Sequence, residues 1–140
     1  MPSTGPVGRG LVFFGQLSIA LVWLYAGLVA KLLGLRPDDR AIIDSVPFLA
    51  PGSGGWVTMV IGGFEVLLAI WVIFGGAPRV AAVVQTLTLV VLTAIDLTYG
   101  RRLVGEPVQV VITQLALVAL IWLVAVSLSH LPKRGPSPFG

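Results

Sequence analysis

The sequence predicts an all-α membrane protein: a transmembrane four-helix antiparallel bundle with a short amphipathic helix in the first loop. Three observations predict it. Hydrophobic residues make up 56% of the chain and charged residues 11%, with a mean hydropathy of +1.00. That is too apolar for a small soluble domain, whose surface must be polar. Four apolar stretches, 11–33, 56–74, 79–99 and 107–128, each come close to the ~20 residues that carry a helix across a hydrocarbon core. Spanning strands would be about half as long and would alternate, which these stretches do not. The breaks between them are dense in Gly and Pro, and 140 residues fit one integral membrane domain covering the whole chain.

The elements follow in order. Arg9 alone among charged residues precedes the first stretch, and Lys31 and Leu32 close it where a signal peptide would carry small residues. It is therefore expected to be retained as the first span. The first loop, "GLRPDDRAIIDSVPFLAPGSGG", holds a predicted short helix from Pro37 to Val46. Pro37 suits its first turn, and Asp38 and Asp39 suit its positive N-terminal end. Ile42, Ile43 and Val46 would face the bilayer or the bundle, and "PGSGG" separates this helix from the second span. "GGAPR" (75–79) is a tight turn that pairs spans two and three as an antiparallel hairpin. "GRRLVGEP" (100–107) is a second short link, with Pro107 opening span four. The tail 129–140 is expected to be flexible.

Composition excludes several chemistries. The chain has no cysteine, so no disulfide or thiolate metal site can form, and its one histidine, His130, cannot give bis-histidine haem ligation. No metal site and no catalytic residue is assigned. With no cysteine, flavin motif or histidine pair to carry electrons, a self-sufficient redox enzyme is not expected. The net charge of +3 points to lipid headgroups rather than to nucleic acid. It does not orient the chain. Arg9, Arg79, Lys133 and Arg134 flank the N-terminal side (side A), while Arg36, Arg40, Arg101 and Arg102, with Lys31 nearby, flank the first-loop side (side B). The positive-inside rule returns a tie.

The polar residues inside the spans are informative. A rise of about 1.5 Å per residue puts Lys31 roughly 12 Å from the midplane toward side B, with Asp96 roughly 10 Å and Gln114 about 5 Å toward the same side. Glu65 falls at mid-depth. Gln16, Ala20, Trp23, Gly27 and Lys31 share one face of the first helix, and Thr58, Gly62, Glu65 and Ala69 share one of the second. Gln85, Leu92, Asp96 and Tyr99 share a third. Small residues on these faces allow close helix approach. Turned inward, the faces enclose a polar pocket open toward side B.

Each residue also has a plain structural role. Lys31 either snorkels to the side-B interface or reaches inward to Glu65. Asp96 is expected at the interface beside Arg101 or Arg102. Gln85 and Gln114 suit interhelical hydrogen bonds. Trp23, Trp71 and Trp122 suit packing, and Trp56 an interfacial belt. Glu65 is too short to snorkel far and must be paired or protonated.

"ALVWLYAGLVAKLLG" (20–34) resembles the first helix of the DoxX-like membrane proteins, and "IGGFEVLLAIWVIFG" (61–75) resembles their second. The resemblance extends over about residues 15–128. It implies a four-helix bundle in a bacterial inner membrane, with cytoplasmic termini. The family takes its name from a subunit of a thiosulfate:quinone oxidoreductase, and other members are linked to redox systems or act as assembly chaperones. Trp23, Tyr25, Gly27, Lys31 and Glu65 match its motifs.

Three functions follow. In the first, the chain is a ligand-binding accessory subunit of a membrane redox or lipid system. Its pocket, built from Lys31, Glu65, Trp23, Tyr25 and Gln114, holds a quinone or a lipid. In the second it is an assembly subunit that recruits a membrane protein partner or a second copy of itself. In the third it is a small proton-coupled transporter, a reading weakened by having its membrane glutamate in helix two rather than helix one.

Overall fold

The computed structural model describes residues 6–130, and the expected flexible tail lies almost wholly outside them. The described residues form α1 (Pro6–Leu24), a π-helical segment (Tyr25–Leu32) that continues α1 without a break, α2 (Pro37–Asp44), α3 (Gly54–Phe74), α4 (Pro78–Tyr99) and α5 (Pro107–Ser129). Four helical runs are long and apolar enough to cross a membrane: Gly8–Leu32, Gly54–Phe74, Pro78–Tyr99 and Pro107–Ser129. The last three agree with the sequence reading to within two residues. The first begins earlier than expected, because the polar and glycine residues before Leu11 lower hydropathy without breaking a helix. The short loop helix ends at Asp44 rather than Val46.

Local chemistry explains the ends. Proline stands in the first turn of α2, α4 and α5, where a missing N–H costs nothing. Gly75 stops α3 in the left-handed region at φ 70°, and its N–H donates to the carbonyl of Trp71. The indole of Trp71 reaches back over this turn to donate to the carbonyl of Gly76 at 2.6 Å. Ala77 follows with φ 45°, an uncommon conformation for a residue with a Cβ, and the chain enters α4 directly.

The bundle differs between its two ends. The side-A half is the more tightly packed. Ile19 and Trp23 of α1, Leu68 and Val72 of α3, Ala82 of α4 and Ile121 and Ala125 of α5 pack there with at most 6% of their surface exposed. Gln16 donates across this layer to the carbonyl of Val72 at 3.0 Å. The outward faces carry Leu21, Leu67, Leu87 and Leu123, all exposed, as expected of helices whose outer surface meets lipid. On side B the helices separate. The π segment packs on α3 but no Cα of it comes within 8 Å of one in α5, although α1 and α5 approach each other that closely nearer side A.

The short helix α2 fills part of the side-B opening. Its apolar face turns to the bundle rather than the bilayer, with Ile42, Ile43 and nearby Val46 all buried. Polar contacts fasten it at two places. Asp44 accepts a hydrogen bond from the Gly54 N–H at 2.7 Å, placing a carboxylate on the positive end of α3. Ser45, just past α2, donates to the carbonyl of Tyr99 at 3.3 Å, and Phe48 meets the Tyr99 ring edge-on with centroids 6.3 Å apart.

Candidate functional site

The site begins with a close crossing of two backbones. Gly27 of the π segment lies against Gly62 of α3, so that a Cβ on Gly27 would stand 2.5 Å from the Gly62 carbonyl oxygen. A Cβ on Gly62 would in turn stand 2.9 Å from both the Gly27 carbonyl oxygen and the Lys31 Cβ. Only glycine fits at either position.

This crossing brings Lys31 and Glu65 together. The two helices are antiparallel, and the Cα–Cβ bonds of each lean toward its own N-terminus. Lys31 therefore leans from side B toward mid-depth, while Glu65 leans the opposite way. The Lys31 Nζ lies 2.9 Å from Glu65 Oε2 and donates to Oε1 at 3.2 Å. It also donates to the carbonyl of Ala26, five residues back in its own segment, at 3.2 Å. A third anion closes the arrangement: Asp39, in the first turn of α2, places Oδ2 3.8 Å from the ammonium. Glu65 is only 1% exposed. Lys31 thus reaches inward rather than snorkelling, hydrogen-bonded to Glu65 and the Ala26 carbonyl and within ion-pair distance of Asp39.

The π segment has a part in this geometry. Its carbonyls pair five residues ahead rather than four, which widens the helix. The wider turn ends where Leu33 donates to the carbonyl of Leu28 at 2.8 Å. π-helical turns inside α-helices occur frequently at functional sites.

A cavity of about 350 Å³ opens from this pair toward side B. Trp23 and Leu89 form its floor, Ile61, Thr58, Leu92 and Leu117 contribute to its walls, and Arg36, Asp38 and Leu103 lie at its mouth. All five residues expected to bind a ligand line it: Lys31, Glu65, Trp23, Tyr25 and Gln114. They differ in what they offer. Trp23 is 1% exposed and its Nε1 donates to Gln85 Oε1 at 2.9 Å, so its polar edge is engaged and its ring supports the floor. Tyr25 is half exposed on the rim. Gln114 presents an Oε1 that has no hydrogen-bond donor, and so does Thr58 with its Oγ1. Gln85 makes the expected interhelical bond, whereas Gln114 does not.

Two carboxylates enlarge the site beyond the five residues expected to bind a ligand. Asp39 joins because the first loop folds back over the bundle, and its spacing from Lys31 gives no hint of that. Asp96 corrects an expectation. It lines the cavity and makes no ion pair with Arg101 or Arg102 among the described residues. The helix ends at Tyr99 with Gly100 as its C-cap, and both arginines beyond it are exposed and are not among the residues lining the cavity.

A model of the DoxX-like family matches residues 20–122, which include every residue of the Lys31–Glu65 centre. The chain belongs to the DoxX-like family and is a multi-pass membrane protein with four apolar helices. No curated protein and no solved structure matches it.

Proposed function

We propose that this DoxX-like protein is a ligand-binding accessory subunit of a bacterial inner membrane. Its side-B cavity holds the polar head of a membrane-dissolved quinone or lipid and offers it to a partner in redox or lipid chemistry. The observation that carries this reading is the cavity itself. Its volume of about 350 Å³ lies at the lower end of the range for small-molecule sites, roughly 300–1,000 Å³. Its lining divides about evenly between apolar side chains and a cluster of charged and polar groups, so it offers both to a polar head joined to an apolar tail.

The way in supports a membrane-borne ligand. Val22 and Tyr25 on the first span, and Val110 and Leu117 on the fourth, belong to the cavity lining and are partly or largely exposed. With the π-segment and α5 backbones farther than 8 Å apart at their Cα atoms, we read these exposed lining residues as a slot facing the lipid. A hydrophobic tail can remain in the bilayer through the slot while its head occupies the cavity. In this reading Tyr25 packs against the head at the rim, Gln114 contributes a polar contact, and Lys31 and Glu65 form the fixed polar end wall.

The alternative is an assembly subunit, for which the exposed π–α5 side would take a helix of a larger partner. Mass spectrometry of the protein purified in mild detergent separates the two. A stoichiometric small molecule, lost when Gln114 is replaced by leucine, is the expected result. A stoichiometric protein with no retained small molecule would favour assembly instead.

A further inference from the structure

The charges around the cavity constrain what it can hold. Four carboxylates line it, Asp38, Asp39, Glu65 and Asp96, against two cations, Lys31 and Arg36. Lys31 is already committed to Glu65 and Asp39. Only Arg36, at the mouth, stands against the two remaining carboxylates, so an anionic head would meet a net negative wall with no free ammonium to receive it.

The groups left without partners point the same way. Asp96 of α4 forms no ion pair among the described residues. Gln114 Oε1 of α5 has no donor. Thr58 Oγ1 of α3 is also unpartnered, on a residue only 5% exposed. Three helices thus present a carboxylate, an amide oxygen and a hydroxyl to one cavity, and what this set lacks is a hydrogen-bond donor carrying positive charge. A primary ammonium has three donors and no acceptor.

We propose that the cavity selects an amphiphile with a primary ammonium head, which enters through the slot between the π segment and α5 and pairs with Asp96 while Lys31 stays locked to Glu65. This names the ligand class of the site proposed above and rests on that reading. The ammonium comes either from the headgroup of an aminophospholipid or from a free long-chain amine.

The test is a tryptophan-fluorescence titration of the detergent-purified protein with dodecylamine, dodecanol, laurate and a short-chain quinone. Dodecylamine should bind about ten- to a hundredfold more tightly than dodecanol, the range expected for one charge-assisted hydrogen bond. Asp96→Asn should abolish that preference, and Asp96→Glu should keep it. Because Asp96 has no partner to lose, both variants should fold, which their unfolding temperatures will verify. Native mass spectrometry from nanodiscs containing phosphatidylethanolamine and phosphatidylglycerol identifies the source. Retained phosphatidylethanolamine supports the headgroup, and amine binding without lipid enrichment supports a free amine. If dodecanol, laurate or the quinone binds as tightly as the amine, or if Asp96→Asn keeps the preference, the ammonium assignment is overturned while the amphiphile site stands. If none of the four probes binds, both fall.

Discussion

Lys31 shows how far a single residue can be read without a structure. Its depth left two outcomes, outward to the headgroups or inward to Glu65. The direction of its Cα–Cβ bond favours the second, because a residue near the C-terminal end of a spanning helix leans back toward the membrane centre. The hydrogen bond to the Ala26 carbonyl is the mark of that lean. The pair was therefore legible from the two helix directions, whereas Asp39 was not, since it depends on a loop folding over. A prediction follows for stability in detergent. Removing either member of a buried ion pair strands the other charge, so Lys31→Met and Glu65→Gln should each destabilise by about 3–5 kcal/mol. The double variant should cost clearly less than their sum. Additive losses would mean that the two groups do not depend on each other. A second prediction concerns the floor. Gln85→Leu leaves the Trp23 indole N–H buried and unpaired, and should cost about 1–3 kcal/mol in the same thermal assay.

Among the elements, the spans and the short loop helix were readable because length, hydropathy and proline position each act locally. The π segment was not readable. Widening a helix changes which carbonyl each N–H meets but leaves the hydropathy pattern unaltered, so no count of apolar residues reveals it. The glycines were readable as small residues on the inward faces, which hold Gly27 and Gly62 but not Gly63, though not as a particular contact. A Cβ on Gly27 would strike the Gly62 carbonyl while one on Gly63 meets nothing within 4 Å. Gly63→Ala should therefore be neutral or stabilising by about 0.5–1 kcal/mol, since alanine favours the helix. Gly27→Ala should destabilise by about 1–3 kcal/mol through overpacking and should also weaken the Lys31–Glu65 pair. Thermal unfolding of the two variants, each with and without Glu65→Gln, checks both statements. Equal effects of the two alanines would show that the crossing is not a tight contact.

At the scale of the whole molecule, four spans place the N-terminal end and the end of α5 on one side of the membrane. Reporter fusions at Gly76 and at the C-terminus should agree with each other and disagree with one at Gly52, and agreement of all three would rule out the four-span arrangement. The even count was visible in the sequence. The contrast between a packed side-A half and an open side-B half was not, because it arises from where the first and last spans touch, and no single span records that. This contrast has an electrical consequence. Once water fills the open half, the side-B potential reaches the cavity floor, and a voltage across the membrane then falls mainly over the packed half, between Trp23 and side A. Moving a unit charge through the whole drop costs about 2.3 kcal/mol per 100 mV. On the reading proposed above, a charged head paired with Asp96 has crossed little of that drop, and its occupancy should barely respond to energising the membrane. The packed half acts as the insulator, and a membrane voltage can be held across this protein whatever occupies the cavity.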